Sequence, residues 1–156
     1  MTALDLSFDL PDPESTAALG AALGARLRAG DTVLLEGDLG AGKTTFARGM
    51  IAALCGVTDV PSPTYTLIQS YETADGIALL HADLYRIEDA DELNELGLED
   101  AFDDSITLVE WPDRLFGRAP RSGLTLTLTL APGGRTGHIS GGTDWKDRLD
   151  GFDPRG

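Results

Sequence analysis

The stretch Gly37-Asp-Leu-Gly-Ala-Gly-Lys-Thr44 decides the fold of this chain. It fits the pattern G-x-x-x-x-G-K-[ST], in which a glycine-rich loop joins a strand to a helix. Residues 32–36 before it form an apolar run with the length and composition of a strand. Residues 44–54 after it have a helical pattern, and Gly56 is placed to end that helix. The setting therefore predicts an α/β fold organised around a phosphate-binding loop.

Each residue type in this loop has a chemical reason. Glycines let consecutive backbone N–H groups turn inward, where a Cβ atom would obstruct the backbone. These groups and the positive end of the following helix would form a cradle for a polyphosphate. Lys43 would reach the β- and γ-phosphates, and the Thr44 hydroxyl would bind Mg²⁺. The alternative, a glycine-rich turn that only caps a helix, is disfavoured by the strand before and the helix after.

Length and charge limit the function classes. The 156 residues are enough for one domain with a proper core. Lys and Arg number 12 against 26 Asp and Glu, which gives a net charge of −14. So acidic a surface repels phosphate backbones, and we do not expect this chain to bind nucleic acid unaided. A simpler explanation is that the acidity only keeps the protein soluble.

Cysteine content and hydropathy predict where the protein resides. Cys55 cannot form an internal disulfide, which suits a reducing compartment. It lies in an apolar helical segment and is expected to be a small core residue rather than a nucleophile. No basic-then-apolar leader opens the chain, and no apolar run approaches membrane-spanning length. We therefore expect a cytoplasmic protein that makes no contact with a membrane.

The two ends of the chain have different patterns. Residues 4–10 alternate apolar and polar side chains as a half-buried strand does, and Pro13 suits the first turn of a following helix. Residues 124–130 alternate leucine and threonine, which predicts a one-sided, antiparallel or edge strand. Residues 141–156 have the composition of a disordered polar tail. We therefore expect the folded P-loop domain to span residues 1–140.

Two further strands are expected to end in carboxylates. An Asp-Gly turn at 73–76 predicts a hairpin whose second strand ends at Asp83. Another apolar strand, residues 106–110, ends in Glu110. Ligands of open α/β sheets bind where the strands end at their carboxyl edge. Both carboxylates would therefore share a crevice with the phosphate-binding loop if their strands run parallel to residues 32–36.

Asp83 and Glu110 are then candidates for two roles. A metal–triphosphate needs a carboxylate for Mg²⁺ and a group that orients the attacking water. The spacing does not decide which carboxylate has which role. Each also has a structural alternative, which is an ion pair with Arg86 for Asp83 and a turn cap at Pro112 for Glu110.

Three other features have both a functional and a structural interpretation. The prolines of Pro61-Ser-Pro-Thr64 impose an extended path, in which Thr64 would lie near the γ-phosphate as in a switch loop or simply belong to a rigid connection. Trp111 is expected in the core or at an interface, with stacking on the nucleotide base as the functional alternative, and His81 is expected to be a structural histidine. The expected base is adenine, because the Asn-Lys-x-Asp motif of guanine-specific GTPases is missing.

Four motifs together resemble the signatures of the TsaE (YjeE-like) family. In chain order they are Gly37-Asp-Leu-Gly-Ala-Gly-Lys-Thr-Thr-Phe-Ala-Arg-Gly49, Ser62-Pro-Thr-Tyr-Thr-Leu67, His81-Ala-Asp-Leu-Tyr-Arg86 and Val109-Glu-Trp-Pro112. Gly134-Arg135 also resembles the Gly-Arg that the family has near the nucleotide. The joint order and spacing of these motifs are far more specific than the phosphate-binding loop alone.

Members of this family are small bacterial ATPases required for threonylcarbamoyladenosine formation on tRNA. The resemblance implies a single α/β domain with a P-loop fold, a mixed β-sheet flanked by helices, and ATP or ADP with Mg²⁺ as cofactors. It also implies two partners, TsaD and a TsaB-like protein, of which TsaD transfers the threonylcarbamoyl group while ATP hydrolysis resets the assembly. The acidic surface agrees with docking on protein while other subunits hold the tRNA.

The resemblance also implies a set of site residues. The phosphates would be cradled by Asp38, Leu39, Gly40, Ala41, Gly42, Lys43, Thr44 and Thr45. Arg135 and the backbone near Pro13 would border the adenine. Thr44 and Glu110 would hold Mg²⁺, with Asp83 as a further metal-site candidate in the acidic position of the second nucleotide motif. The residues expected to take part in catalysis are Lys43, Thr64, Asp83 and Glu110.

Two functions of other classes compete with an ATPase. A small-molecule kinase would use the same loop, but it usually needs a mobile, arginine-rich lid. Arg114, Arg118 and Arg121 do cluster, although in a stretch too short for a lid domain. A nucleotide-sensing module would bind ATP without needing to hydrolyse it. Because no arginine is obviously placed as a finger, hydrolysis by the isolated chain is expected to be weak and partner-dependent.

Overall fold

A mixed β-sheet forms the centre of the molecule. The structure is a computed structural model that describes residues 3–37, 42–57 and 68–154. The strands in these ranges are β1 (Leu4–Leu10), β2 (Thr32–Glu36), β3 (Ile68–Glu72), β4 (Ala78–Asp83), β5 (Ile106–Glu110), β6 (Leu124–Ala131) and β7 (Gly134–Gly141). The helices are α1 (Pro13–Gly24), α2 (Lys43–Cys55), α3 (Ala90–Leu96), α4 (Leu98–Ala101), α5 (Thr143–Arg148) and a 3₁₀ helix (Pro112–Leu115). No helix in these ranges is long and apolar enough to cross a bilayer.

The strand order places β2, the strand that precedes the glycine-rich sequence, at the middle of the sheet. The order is β1-β7-β6-β2-β5-β4-β3. Strand β2 pairs in parallel with β5 on one side and with β6 on the other, and β4 continues the parallel set beside β5. The pairs β1–β7, β6–β7 and β3–β4 are antiparallel. The predicted mixed sheet flanked by helices is therefore confirmed.

Alternating side chains on the central strands supply two hydrophobic clusters. On β2, Val33 and Leu35 belong to the cluster that includes buried side chains of α1 and α2. Leu34 between them packs against the other cluster, which lies with α3, α4 and the 3₁₀ helix. Helices on both faces thus keep the parallel strands out of water, as such strands require. The site-bearing strand ends are fixed by packing on both sides.

Two strand predictions have different outcomes. The hairpin at 73–76 is confirmed, since β3 and β4 pair in antiparallel fashion on either side of it. The alternating strand at 124–130 does pair with an antiparallel neighbour, β7, but it is not an edge strand. Its other side pairs in parallel with β2. Leucines on one face reach the core, whereas Thr125 and Thr127 on the other face are half-buried, and this asymmetry produces the alternation.

The prediction of a disordered tail over residues 141–156 is wrong for the part that the structure describes. Residues 143–148 form α5, in which Trp145 is buried and donates its indole N–H to the Ser122 carbonyl at 2.6 Å. Leu149 joins the main core cluster, and Phe152 packs edge-to-face on Phe8. The reason is an apolar stripe at spacings of four and three residues, which the polar composition of the segment conceals.

Candidate functional site

Parallel strands bring two of the predicted carboxylates to the same edge of the sheet. Glu110 ends β5 and lies opposite Asp83 of β4 on one side and Leu35 of β2 on the other. Both carboxylates are buried. The condition on which their convergence depended, that both strands run parallel to β2, is confirmed. Glu36, by contrast, is exposed and accepts a hydrogen bond from Thr127 at 3.4 Å.

The Thr44 hydroxyl and the Glu110 carboxylate meet at the start of α2. Thr44 Oγ1 lies 3.3 Å from each of the two carboxylate oxygens of Glu110. Glu110 is only 3% exposed, so this contact lies in a water-poor setting. Oxygen atoms of this hard type are what Mg²⁺ prefers, and protein sites commonly supply only one or two of them beside a phosphate. The pair therefore fits a magnesium ion chemically.

The first turn of α2 has the features of an anion-binding helix end. Gly42 precedes the helix with φ 105°, a left-handed conformation that favours glycine, and no side chain caps the helix by a hydrogen bond. The backbone N–H groups of such a first turn attract a negatively charged group. Thr45 lies half-buried in the same turn. This end of the helix is chemically suited to a phosphate.

Lys43 is buried at the same place, and its contacts include a backbone carbonyl and an aromatic ring. Its ammonium donates to the Gly37 carbonyl at 2.7 Å and lies 3.7 Å from the ring centroid of Trp111. A cation over an indole face is electrostatically favourable, more so where water is excluded. Lys43 is 5% exposed, so both contacts hold its charge near the strand end.

Trp111 has an unusual backbone that places its ring beside Lys43. It directly follows Glu110 with φ 62° and ψ 58°, a left-handed conformation that costs free energy in a bulky residue. Its ring packs on Tyr85 with 5.0 Å between centroids. The Tyr85 N–H in turn donates to Asp83 Oδ1 at 3.0 Å. Trp111 is thus a site residue, which the prediction of a core or interface role did not include.

Of the two residues predicted near the base, Arg135 lies close to the start of α2. Arg135 lies opposite Leu10 on the neighbouring strand. Its Cδ and Nε atoms would be 3.3 Å from a Cβ atom added to Gly42. Pro13 begins α1 after the Asp12 cap, and it is exposed. The structure therefore places Arg135 beside the start of α2. Pro13 lies at the start of α1, directly after the short connection that follows β1.

His81 occupies a position that its sequence context did not reveal. The ring is fully buried, and its Nε2 atom lies 2.6 Å from Glu110 Oε2. The expectation of a structural histidine overlooked this contact with a candidate metal ligand. One signal was available, since His81 lies two residues before Asp83 on a strand and therefore on the same face.

Other predicted residues fall outside the site or outside the described ranges. Asp38, Leu39, Gly40, Ala41 and Thr64 lie outside the described residues. Among the residues that are described, no group of three His, Cys, Asp or Glu side chains could hold a metal. Cys55 packs against the core, and its burial raises the pKa of the thiol. A raised pKa disfavours the nucleophilic thiolate, in agreement with the predicted core role.

Comparisons with known proteins agree in their result. The family model described as threonylcarbamoyl adenosine biosynthesis protein TsaE matches residues 10–136. The tRNA threonylcarbamoyladenosine biosynthesis protein TsaE of Rickettsia bellii is 38% identical over 131 residues, covering 83% of this chain and 90% of that protein. The protein of the same name from Bacillus subtilis is 40% identical over 128 residues, covering 81% and 78%. The crystal structure of YdiB from Bacillus subtilis matches with a TM-score of 0.80 and 29% identity, covering 97% of this chain and 96% of that one.

Proposed function

This chain belongs to the TsaE family of tRNA threonylcarbamoyladenosine biosynthesis proteins, and on that premise we propose that it is a Mg²⁺-dependent ATPase subunit of this modification pathway. The observation that carries the proposal is the meeting of the Thr44 hydroxyl with the buried Glu110 carboxylate at the start of α2, beside the Lys43 ammonium. Oxygen ligands for a metal and a cation for phosphate stand together there, and that combination is what a metal–triphosphate requires.

We assign the nucleotide contacts as follows from this arrangement. Thr44 and Glu110 hold the magnesium ion, which neutralises charge on the phosphates when bound. Lys43 and the backbone N–H groups from residue 38 to Thr45 bind the phosphates. Arg135 and the backbone near Pro13 border the adenine. Support comes from the closeness of Arg135 to Gly42 and from the start of α2 without a side-chain cap.

Asp83 and Thr64 are proposed for positioning the reacting groups. Asp83 lies opposite Glu110 on the neighbouring strand and therefore reaches the same edge of the sheet. The hydroxyl of Thr44 contacts the carboxylate of Glu110 at this edge. We propose that it orients the attacking water. Thr64 is proposed to approach the γ-phosphate as part of a switch segment, on the sequence pattern alone.

Partner proteins are proposed to complete the activity. We propose that the chain works in the cytoplasm with TsaD and a TsaB-like protein, which bind the tRNA and transfer the threonylcarbamoyl group. The net charge of −14 supports contact with protein rather than directly with RNA. Turnover by the isolated chain should therefore be slow, and these partners should raise it.

Replacing Lys43 tests nucleotide binding. Lys43→Ala should weaken ATP binding at least about tenfold, because a charge-assisted contact to phosphate is worth roughly 1.5–3 kcal/mol. Calorimetric titration with ATP and Mg²⁺ measures the affinity. The matched control is Lys146→Ala, because this other lysine is exposed on α5, outside the proposed site.

Two results would contradict the proposal. One is an ATP affinity of Lys43→Ala equal to that of Lys146→Ala. The other is fast ATP hydrolysis by the isolated wild-type chain that added partner proteins do not change.

A further inference from the structure

A buried histidine shares the candidate metal carboxylate with Thr44. His81 Nε2 lies 2.6 Å from Glu110 Oε2, and neither side chain is appreciably exposed. Thr44 Oγ1 is less close, at 3.3 Å from each carboxylate oxygen. Within residues 3–37, 42–57 and 68–154, the shortest polar contact of Glu110 is therefore with the histidine, at one oxygen of the carboxylate.

Strand register explains how the two side chains meet. Asp83 lies opposite Glu110, and His81 lies opposite Leu108, on adjacent parallel strands. Side chains two residues apart on a strand share a face, so His81, Asp83 and Glu110 all lie on one face of the sheet. Leu79 and Leu108 of the same face belong to the core cluster that contains α2, the helix that carries Thr44. The His81 imidazole is thus buried on the face of β4 that α2 covers.

The chemistry of the contact fixes its direction. An ionised carboxylate only accepts hydrogen bonds, so with Glu110 in the form that binds a metal the proton of this contact is on His81 Nε2. The other ring nitrogen, Nδ1, is buried without a hydrogen-bond partner in the described part of the chain. Burying an unpaired polar atom is unfavourable, so stability alone gives a poor reason for a histidine here. The one recorded polar contact of the ring is directed at Glu110.

We propose that His81 is a positioning residue that fixes the Glu110 carboxylate for Mg²⁺, an inference that rests on the proposed function. By donating to Oε2, it prevents the carboxylate from rotating and directs the remaining lone pairs toward the Thr44 hydroxyl. It is not itself a ligand, because Mg²⁺ prefers oxygen and Nε2 is already bonded to the carboxylate. Partners of metal ligands in this position typically change metal affinity or activity by about 10–100-fold.

Two amide variants test the role. The side-chain nitrogen of His81→Gln reaches about as far as imidazole Nε2, whereas that of His81→Asn stops near the position of Nδ1. Calorimetry should first measure the ADP affinity in EDTA. It should then measure the magnesium concentration at which half of the Mg²⁺-dependent gain in ADP affinity is reached. Both variants should have a similar ADP affinity in EDTA. The magnesium requirement should be near that of wild type for His81→Gln, and it should be raised about tenfold or more for His81→Asn.

The outcomes separate this inference from the proposed function. Equal magnesium requirements of the Gln and Asn variants, with wild type responding to Mg²⁺, would overturn the role of His81 alone. If the ADP or ATP affinity of the wild-type chain does not change when Mg²⁺ is added, both proposals are overturned. Nitrogen NMR of the His81 imidazole in the wild-type protein needs no variant. It is a second test, because it reports which ring nitrogen carries the proton. A proton found on Nδ1 alone would contradict the proposed donation from Nε2.

Discussion

At the scale of single residues, Glu110 is the point on which the other polar groups of the site depend. Its Oε2 atom lies 2.6 Å from His81 Nε2, its carboxylate lies beside the Thr44 hydroxyl, and it is followed directly by Trp111, whose ring contacts Lys43. A buried carboxylate is costly unless it is hydrogen-bonded or bound to a cation. Its neighbours therefore stabilise it in the fold, and under the proposed function they also present it to a metal.

Glu110→Gln should separate nucleotide binding from hydrolysis. The amide keeps the size of the side chain and an oxygen that can accept from His81, but it removes the charge that we propose holds Mg²⁺. We expect ATP hydrolysis, measured by phosphate release with partner proteins present, to fall at least about 100-fold.

The same variant tests the alternative of a pure sensor. Its ADP affinity in EDTA should stay near that of wild type, which serves as the control for folding. If tRNA modification continued at the wild-type rate despite lost hydrolysis, the chain would act by binding nucleotide and not by turnover.

At the residue scale, sequence could name candidates where the residue type alone suggests the chemistry. The lysine, the threonine and the two strand-terminal carboxylates needed only a motif or a strand end to be named, and the structure places Thr44 beside Glu110 and Asp83 opposite Glu110. The partnership of His81 with Glu110 depends on which strands are neighbours and in what register, and sequence spacing contains neither. The left-handed backbone of Trp111 was missed for a similar reason, since nothing in its residue type suggests φ 62°.

At the scale of elements, two glycines set the distance between α1 and α2. A Cβ atom on Gly20 would lie 2.1 Å from the Phe46 carbonyl oxygen, and one on Gly49 would lie 2.2 Å from the Ala17 carbonyl oxygen. The helix backbones therefore approach closely, which only glycine permits at these two positions. Because α2 carries Lys43 and Thr44, this contact also fixes the position of the phosphate-binding end.

Gly20→Ala should lower the free energy of unfolding. Alanine is the better helix former, but here its methyl group meets backbone, which cannot move without separating the helices. The expected loss is about 1–3 kcal/mol, measured by urea denaturation.

The matched control is Gly24→Ala on the same helix. Its added Cβ would lie 2.8 Å from Met50 Cγ, a flexible side chain that can shift. Its effect should be clearly smaller than that of Gly20→Ala. Equal effects of the two substitutions would show that helix separation is not the cause.

Element prediction from sequence was limited by pairing rather than by propensity. The strand before the loop, the helix after it and the hairpin at 73–76 follow from local signals, and all are present. The interior place of β6 could not be predicted in this way. Its alternation shows that one face is less buried, but it does not show that β2 pairs along its other edge.

At the scale of the whole molecule, the C-terminal segment closes the end of the sheet away from the candidate site. The guanidinium of Arg148 binds both carboxylate oxygens of Asp31, at 2.9 and 2.5 Å, and also lies 4.0 Å from the ring of Trp145. Asp31 directly precedes β2, whose opposite end leads into the phosphate-binding loop. The α/β fold and the net charge could be predicted from sequence. The packing of the C-terminal segment could not, because sparse apolar residues in a polar stretch resemble a disordered tail.

Trp145→Ala should destabilise the whole domain. Removing a buried tryptophan leaves a cavity and breaks the hydrogen bond to Ser122, for a loss of about 3–5 kcal/mol. The midpoint of thermal unfolding should fall by about 10 °C or more. Lys146→Ala on the same helix is exposed and should leave the midpoint unchanged. An unchanged midpoint for Trp145→Ala would mean that α5 contributes nothing to the stability of the domain.

The pairing of β1 with β7 has a consequence for synthesis on the ribosome. Strand β1 is made first, yet its one neighbour in the described sheet is completed only at Gly141. The central strand β2 likewise waits for β5 and β6 on its two sides. A nascent chain therefore emerges with β1 and β2 unpaired, and the edges of such strands are exposed to wrong association until translation is nearly finished.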